Sequence, residues 1–466
     1  MLDLSGVTDA ERIAELEREN AELRRLVEEL RKELEEWKRG HRERRRRRSS
    51  RPEGSRATGR GPGRPAGAVG RNRPVPEKIH KTVEHPFPPV CDCGGAVEAT
   101  GEVQSTVVQD IPPVEVYNTR HVAPVGRCAH CKRRQVARLP GSSAQGEPCT
   151  QVQLGPGVQA LSISLHFEHH VPLMGVTKIL GTWFGVQVSA PGLSQMFDRL
   201  RVRTAPARQE ILVKLRQSAV VGFDETSHRQ DGHNGWLWLG RTAEVSYFHV
   251  DLSRGAHVFE TMLGEGFVGI VCSDFYGVYT SRTDLRHAYC NAHTVRKAKK
   301  TAEVQPSPLT QEFSLWLSDI LAAGRRAQEQ IDDDPAAAKI AATNIRRRLR
   351  RLIDTERFGA NADLKRLQDR MDRHFNEVLL FTRRTDVPMT NNDTERDIRP
   401  GAVHRKISGG TRSLGGSETY AHWMSVTQTL RKNNDDLRGW AEGAFLAHLA
   451  GRPPPSVLTM PTEPAS

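Results

Sequence analysis

Three acidic residues of this chain stand in sequence contexts that could bring their carboxylates together to bind divalent metal ions. Asp224 follows the apolar run 219–223, Asp274 follows the apolar run 268–273, and Glu395 lies in a polar segment with helical spacing. Carboxylate oxygens are the ligands that Mg²⁺ prefers, and two ions about 4 Å apart can stabilise the entering and leaving oxygens of an in-line displacement. The residues therefore predict a phosphoryl-transfer site with two Mg²⁺ or Mn²⁺ ions.

The segments around the first two acids predict a ribonuclease H-like sheet. Three antiparallel strands, a helix and then a parallel strand follow one another, and this order makes the strands of Asp224 and Asp274 neighbours. Glu225 is a rival ligand, but adjacent side chains of a strand point to opposite faces. The predicted elements are strands at 219–223, 236–240, 245–250 and 269–273 and a helix at 256–263.

The N-terminal residues 1–40 predict a coiled coil that forms a homodimer. Leucine dominates the d positions, a single asparagine (Asn20) occupies an a position, and the flanking charges are opposite in sign, a pattern that favours a parallel pair in one register. A lone amphipathic helix packed on its own protein is the alternative. The core positions are Ile13, Leu16, Asn20, Leu23, Val27, Leu30, Leu34 and Trp37.

The net charge of +12 is concentrated in the next segment, 41–80, which predicts a basic, disordered linker. Residues 41–74 contain twelve arginines and two glutamates, which leaves the rest of the chain nearly neutral. Such a segment lacks the apolar residues of a core and could lie along phosphates, although a solubilising tether has the same composition.

Two cysteine pairs predict a zinc ribbon over residues 81–145. Cys91 and Cys93 form the first pair and Cys128 and Cys131 the second, and four thiolates can close a tetrahedral zinc site. The first pair is one residue shorter than the usual spacing, so His130 or His121 could replace a cysteine. Ordinary buried thiols are the alternative. We also expect strands at 103–108 and 114–121 between the pairs.

The remaining sequence predicts helices on either side of the sheet and completes a multidomain α/β fold. Ser189 has the place of a helix cap, and the surrounding helices fit either a helix-turn-helix or a packed bundle. The chain lacks a signal peptide and a membrane-length apolar run, which favours a cytoplasmic protein without membrane contact. The predicted regions are a helical DNA-binding region (150–212), the first part of the catalytic core (213–300), an all-helical insertion (301–386), the second part of the core with the glutamate helix (387–449) and a disordered tail (450–466).

Four segments in this order resemble the IS66 family of bacterial insertion-sequence transposases. The likeness extends through Arg405-Lys406 and the glycine-rich run 408–417, and it covers nearly the whole chain in order. One departure is Ser227-His228-Arg229, where a short apolar stretch is more usual, and the shortened cysteine pair is another. The segments are Asp224-Glu225-Thr226, Ser273-Asp274-Phe275-Tyr276-Gly277-Val278-Tyr279, Cys290-Asn291-Ala292-His293-Thr294-Val295-Arg296-Lys297 and Asn391-Asn392-Asp393-Thr394-Glu395-Arg396 with Arg399.

The resemblance implies a DNA transposase in which Asp224, Asp274 and Glu395 hold the metal ions. It would bind the inverted-repeat ends of its element, cleave them and join them to target DNA, and companion proteins of the same element commonly assist the family. A DNA-binding regulator without catalysis and a structure-specific nuclease of the ribonuclease H class are the alternatives. Cys290 and His293 could be half of a metal site, but the sequence offers no evident second half, so we read them as local packing or DNA positioning. The residues expected to contact DNA are Arg296, Lys297, Arg396, Arg399, Arg405 and Lys406.

Overall fold

The computed structural model describes residues 73–86, 89–98, 100–136, 152–433 and 436–458. The predicted coiled coil and residues 41–72 of the predicted linker lie outside these ranges. The chain divides into two compact units, Met1–Asp110 and Ile111–Ser466. The predicted zinc ribbon therefore has one cysteine pair in each unit.

The second unit contains a small hairpin, a five-stranded sheet and helices that precede and follow that sheet in sequence. A π-helical turn, Ser164–Glu168, follows the first helix, and short 3₁₀ turns occur at Glu356–Ala360 and Leu380–Arg383. The strands are β1 (Val125–Arg127), β2 (Arg134–Val136), β3 (Val220–Gln230), β4 (His233–Arg241), β5 (Ser246–Asp251), β6 (Ile270–Ser273) and β7 (Arg286–Tyr289). The helices are α1 (Pro156–Ile163), α2 (Leu173–Phe184), α3 (Ala190–Arg203), α4 (Ala205–Arg216), α5 (Ala256–Leu263), α6 (Gly277–Thr280), α7 (Asn291–Val304), α8 (Pro308–Glu329), α9 (Pro335–Asp354), α10 (Ala362–Arg373), α11 (Phe375–Val378), α12 (Asn392–Ser408), α13 (Leu414–Lys432) and α14 (Leu437–Leu449).

The sheet has the strand order β5-β4-β3-β6-β7, with β3, β4 and β5 antiparallel and β6 and β7 parallel to β3. The tight turn at Asp231-Gly232 joins β3 to β4, and both residues have positive φ as this kind of hairpin requires. The predicted order of the strands is confirmed. The strands of Asp224 and Asp274 are neighbours, since Gly222 pairs with Cys272.

The hydrophobic interior forms two clusters. One holds the sheet together with α1–α5 and the last two helices, and its largest buried side chains include Trp238, Trp423 and Phe223. Ser189 caps α3 as predicted, because its Oγ accepts the Gly192 N–H at 3.2 Å. The second cluster joins β6 and β7 to the helices α8–α11. Helices α1–α4 thus share a core with the sheet, since their apolar faces pack in the first cluster.

The helical segment that separates Asp274 from Glu395 leaves and rejoins the sheet at one place. The backbone N–H of Asn291 donates to the carbonyl of Met389 at 3.2 Å, and that of Asn391 donates to the Cys290 Sγ at 3.1 Å. These contacts join the start of α7 to the start of α12. The chain between them is helical, as the sequence predicts.

Three expectations are corrected by the structure. Asp224 does not end its strand, because β3 continues to Gln230 in pairing with β4. Residues 103–108 and 114–121 are not strands, and the described hairpin of this region is instead the pair β1–β2. The C-terminal tail is packed as far as Leu458, since the Val457 N–H donates to Glu210 at 3.0 Å and Val457 is buried. Residues 459–466 lie outside the described ranges.

Candidate active site

The two faces of β3 carry different side chains. A Cβ on Gly222 would lie 2.3 Å from the Oγ1 of Thr394, so this face of the strand meets helix α12 directly. Phe223 points the other way and packs edge-on against Phe259 of α5 at 4.9 Å between ring centroids. Because side chains alternate along a strand, Asp224 lies on the α12 face with Gly222, and Glu225 lies on the opposite face.

Asp224 is a half-buried carboxylate that forms no salt bridge among the described residues and accepts one hydrogen bond. Its Oδ1 accepts the backbone N–H of Glu225 at 2.9 Å. Burial raises the pKa of Asp224 from 3.8 to about 7, and the neighbouring charge of Glu225 contributes next, with smaller contributions from Asp274 and Glu395. The carboxylates of Asp274 and Glu395 are thus near enough to Asp224 to repel it, and such repulsion favours binding of a cation.

Asp274 directly follows β6, at the carboxyl end of the strand beside β3. Its Oδ1 accepts the backbone N–H of Tyr276 at 2.8 Å. That bond fixes the carboxylate at the turn into α6, which begins at Gly277. The side chain is half-buried and keeps its second oxygen for another ligand.

Glu395 lies in the first turn of α12, where the partial positive charge of a helix N-terminus favours an acid. Its Oε1 accepts a hydrogen bond from Nη2 of Arg296 at 2.8 Å, and Nε2 of His293 lies 3.7 Å from the same oxygen. About a third of the Glu395 side chain is exposed. The third acid is therefore accessible and is partnered by a solvent-facing arginine.

Asn391 ties the glutamate helix to the strand of Asp224. It occupies the N-cap position of α12, but its side chain makes no capping bond. The Nδ2 group instead donates to the carbonyl of Phe223 at 2.9 Å, and the Oδ1 accepts the Thr394 hydroxyl at 2.5 Å. These bonds lie one residue before Asp224 and one before Glu395, so they set the spacing between the two acids.

Glu225 is held in a buried network on the other face of β3. Its carboxylate is 3% exposed, and one oxygen accepts both Nε and Nη2 of Arg254 at 3.0 and 2.6 Å. The other oxygen accepts the hydroxyl of Tyr279. Arg254 stacks between the rings of Trp236 and Tyr276, at 4.3 and 4.0 Å. The protein thus satisfies Glu225 completely, and the expectation that it points away from the Asp224 face is confirmed.

The described residues contain one group of three potential metal ligands whose donor atoms all lie within 4.8 Å of one another, namely Cys290, His293 and Glu395. Cys290 is buried, and burial raises the pKa of its thiol. Nη2 of Arg296 is 3.2 Å from His293 Nε2 and occupies part of this group. Sequence reasoning did not place the Cys-x2-His pair beside Glu395, although its position at the start of α7 was a signal for it.

The basic residues expected to contact DNA lie at two places around these acids. Arg296 and Lys297 are exposed on α7, and Arg296 contacts Glu395. Arg396 is 74% exposed and pairs with Asp393 at 2.9 Å. Arg405 bonds to the backbone and side chain of Ser227 on β3. Two further predicted contacts, Arg399 and Lys406, are exposed on α12.

Each cysteine pair forms a tight turn within its own unit. The backbone N–H of Cys91 donates to Gly95 at 2.9 Å, and Gly94 has a φ of +84°. The second turn, between β1 and β2, has the same pattern, since the Cys128 N–H donates to Arg133 at 2.9 Å. At both turns backbone N–H groups bond to the first thiol, Cys91 or Cys128, and lower its pKa, which favours the thiolate form that binds metal.

The acidic group has the chemistry of a site for hard divalent cations. Asp224, Asp274 and Glu395 offer oxygen donors, and among the described residues neither aspartate forms a salt bridge with a lysine or arginine. Carboxylate oxygens are the donors that Mg²⁺ and Mn²⁺ bind. Three structural roles were not predicted from the sequence. Asn391 joins α12 to β3, Gly222 and Thr394 form the close contact between those two elements, and Arg296 pairs with Glu395.

Comparison with known proteins agrees with this arrangement. Residues 151–419, more than half of the chain, match the family described as Transposase IS66 family. None of the helices in the described ranges has both the length and the apolar character of a membrane span.

Three proteins of Sinorhizobium fredii (strain NBRC 101917 / NGR234) are similar to the chain. Uncharacterized protein y4jD is 23% identical over 422 residues, which cover 84% of this chain and 80% of that protein. Uncharacterized protein y4hP is 22% identical over 431 residues, covering 82% and 75%. Uncharacterized protein y4jO is 30% identical over 146 residues, and the match spans 44% of its length. Because the family match covers more than half of its residues, the chain belongs to the IS66 family of transposases.

Proposed function

We propose that this transposase cleaves the ends of its element and joins them to target DNA by metal-dependent in-line phosphoryl transfer at Asp224, Asp274 and Glu395. The family implies a DNA substrate and the use of divalent metal. The observation that carries the proposal is the convergence of three acids from β3, the end of β6 and α12, where Asn391 bonds α12 to the Phe223 carbonyl beside Asp224. The charges of Asp274 and Glu395 contribute, after burial and Glu225, to the raised pKa of Asp224, and a bound cation would relieve that repulsion.

A ribonuclease H-like core is part of the proposal. It is supported by the strand order β5-β4-β3-β6-β7, with three antiparallel strands followed by two parallel ones. Asp274 follows the end of β6, and Asp224 lies on the neighbouring strand β3, two residues after the last pair between the two strands, Gly222 with Cys272. Helix α12 would add Glu395 from above the same face.

The residues of the chain would bind and orient the reacting groups. Divalent ions, when bound by the three acids, supply positive charge for the scissile phosphate and activate the attacking hydroxyl. Asn391 holds α12 against β3, so that Glu395 stays in register with Asp224. Arg296 forms an ion pair with Glu395 and is exposed, so its side chain could instead bind a DNA phosphate beside the cleaved bond.

The remaining basic residues would hold the DNA backbone. Arg396, Arg399 and Lys406 face solvent on α12, and Arg405 is anchored on Ser227 of β3. Contacts of this kind neutralise phosphates and position the duplex without reading its sequence. Arg296 and Lys297 would continue the same surface on α7.

The N-terminal regions would serve assembly and DNA recognition. We propose that residues 1–40 form a homodimeric coiled coil that brings two element ends together. Residues 41–80 would follow DNA phosphates, and Cys91, Cys93, Cys128 and Cys131 would hold one structural Zn²⁺. The tight turns at both cysteine pairs support the zinc ribbon, and the helical region 150–212 would add further DNA contacts.

The test is strand cleavage of a labelled duplex that carries the terminal repeat of the element, with Mg²⁺, Mn²⁺ or EDTA. Wild type is compared with Glu395→Gln and with Glu442→Gln, a matched change on the exposed face of α14, where Glu442 pairs with Arg438. We expect metal-dependent cleavage at the repeat boundary that is lost in Glu395→Gln and kept in Glu442→Gln.

Other outcomes separate the alternatives. Binding of the repeat without cleavage, also after addition of the companion proteins of the element, would indicate a regulator. Cleavage of branched DNA in preference to repeat ends would indicate a structure-specific nuclease. Equal cleavage by Glu395→Gln and wild type would contradict the assignment of the third acid.

A further inference from the structure

The helical insertion has a strongly uneven charge. Residues 308–334, which comprise α8 and the turn after it, contain two basic and six acidic residues, a net charge of −4. Residues 335–383, from α9 to the last 3₁₀ turn, contain twelve basic and six acidic residues, a net charge of +6. A solvated helical surface needs no such division, since mixed charges keep it soluble. The division therefore points to a partner for the positive part.

The positive charge converges on an open cleft of about 690 Å³ between α9 and the α10–α11 turn. Arg346 and Arg350 both stack on the ring of Phe375, at 4.7 and 4.4 Å from its centroid. Stacking of this kind fixes guanidinium groups in place before a ligand arrives. The arginines that line the cleft, together with Asp372 and Glu377, are Arg346, Arg347, Arg350, Arg351 and Arg373, and we call these five the insertion arginines.

Most of the insertion arginines lack an acidic partner. Arg350 pairs with Asp372, whereas among the described residues no carboxylate forms a salt bridge with the other four. Burial lowers the pKa of Arg346, and the like charges of Arg383 and Arg350 lower it further. Positive groups that crowd one another in this way are relieved by an anion. Elsewhere in the insertion the pairing is ordinary, as in Arg325 with Glu329 at 3.1 Å.

A continuous row of rings connects the cleft to the catalytic acids. Phe275, the residue after Asp274, stacks on Tyr289 at 4.6 Å, and His374 lies against both rings at 5.8 and 4.8 Å. Arg370 lies over the Phe275 ring at 5.0 Å. Phe375, on whose ring Arg346 and Arg350 stack, directly follows His374 in the chain. The cleft is thus fixed to the catalytic sheet by packed side chains, and a bound polyanion could extend from one to the other.

We propose that the insertion arginines bind the phosphate backbone of duplex DNA that flanks the cleaved bond. The partner is a duplex, because arginines along a cleft that is open to solvent offer planar donors that suit the successive phosphates of a duplex. The proposal rests on the proposed function for the position of the cut, but it concerns binding and does not require cleavage. It gives the insertion a role as a second contact that keeps the duplex aligned with the acids.

The experiment measures DNA affinity against salt concentration for the full-length protein. Arg347→Gln/Arg351→Gln removes two exposed charges from the cleft, and Arg325→Gln/Arg326→Gln removes two charges from α8 of the same insertion. The first probe is a duplex of about 40 base pairs that carries the terminal repeat at its centre, and a shorter duplex that ends at the cleavage site serves as the second probe. Thermal unfolding of both variants checks that the fold is kept.

We expect the cleft variant to bind the long duplex about tenfold more weakly, with the slope of log Kd against log salt reduced by about 2, since each lost phosphate contact removes about 0.9. The α8 variant should match wild type, and the short duplex should not distinguish the proteins. An unchanged slope for the cleft variant would overturn the proposal. Wild-type cleavage in the same preparation shows separately whether the proposed function holds.

Discussion

Asp224 and Glu225 are consecutive acids on opposite faces of β3, and the protein treats them differently. Glu225 receives two hydrogen bonds from Arg254 and one from Tyr279, so its charge is balanced within the fold. Asp224 receives one backbone N–H, and its pKa is raised to about 7 by burial, then by the charge of Glu225, with smaller contributions from Asp274 and Glu395. An acid whose charge the fold already balances supports the structure. An acid that the fold leaves unbalanced is the one available to an external cation.

The largest effect should come from neutralising the unbalanced acid. We expect Asp224→Asn to reduce strand cleavage by at least about a thousandfold, because the proposed two-ion site loses one of its three carboxylate ligands. DNA binding and the cooperativity of unfolding should remain. The measurement is single-turnover cleavage in Mg²⁺ together with a binding titration. Retention of more than a tenth of the wild-type rate would remove Asp224 from the site.

A second change tests the contact that brings α12 to the Asp224 face. Gly222→Ala would place a Cβ 2.3 Å from the Thr394 Oγ1, so helix or strand must shift. We expect a loss of about 2–3 kcal/mol in the free energy of unfolding and a matching fall in cleavage. Gly222→Ala/Thr394→Ala removes the clashing hydroxyl and should recover part of the stability. Chemical denaturation measures both, and equal stability of the single and double variants would contradict the contact.

Changing Glu225, whose charge is balanced by Arg254, should lower stability and leave cleavage largely intact. Glu225→Gln leaves Arg254 without a charged partner and should cost about 1–2 kcal/mol in the free energy of unfolding. Cleavage per folded molecule should stay within a few fold of wild type, since the amide oxygen of the new side chain can still accept the Tyr279 hydroxyl. Denaturation and single-turnover cleavage are measured on the same preparation. Complete loss of cleavage with normal stability would make Glu225 a ligand.

The pH dependence of stability gives the most specific contrast. The folded pKa of Asp224 is about 7 and its usual value is 3.8, so between these values the folded chain retains a proton that the unfolded chain has released. Stability should therefore decline from about pH 4 to pH 7 relative to Asp224→Asn in EDTA. Mg²⁺ should remove this decline in wild type. Parallel curves for the two proteins in EDTA would contradict the raised pKa.

Much of the sheet could be predicted from the sequence, because apolar runs of β-branched residues mark its buried strands. The helix at 256–263 and the pairing of the Asp224 and Asp274 strands follow from that pattern. The continuation of β3 to Gln230 could not, because the residues after Phe223 are polar and are held by pairing with β4. The expected strands at 103–108 and 114–121 have the right residue types but no described strand to pair with.

The acids of the candidate site could be predicted from the sequence, but the residues that hold those acids in position could not. Isolated acids after apolar runs stand out in a sequence. The bond of Asn391 to the Phe223 carbonyl joins residues 168 positions apart, and asparagine before a helix more often caps it. The packing of the tail against Glu210 was missed for a similar reason, since a proline-rich composition does not reveal a partner in α4.

The start of α7 contacts the residues just before α12, through Cys290, Asn291, Met389 and Asn391. This contact has a consequence for how chains of this kind evolve. A segment that departs from and returns to one point can lengthen, shorten or be exchanged without altering the distance between Asp274 and Glu395. Natural variation should therefore accumulate between these two anchors while the anchors themselves persist. For the same reason, this junction is where a foreign domain could be spliced in to direct the enzyme to a chosen locus.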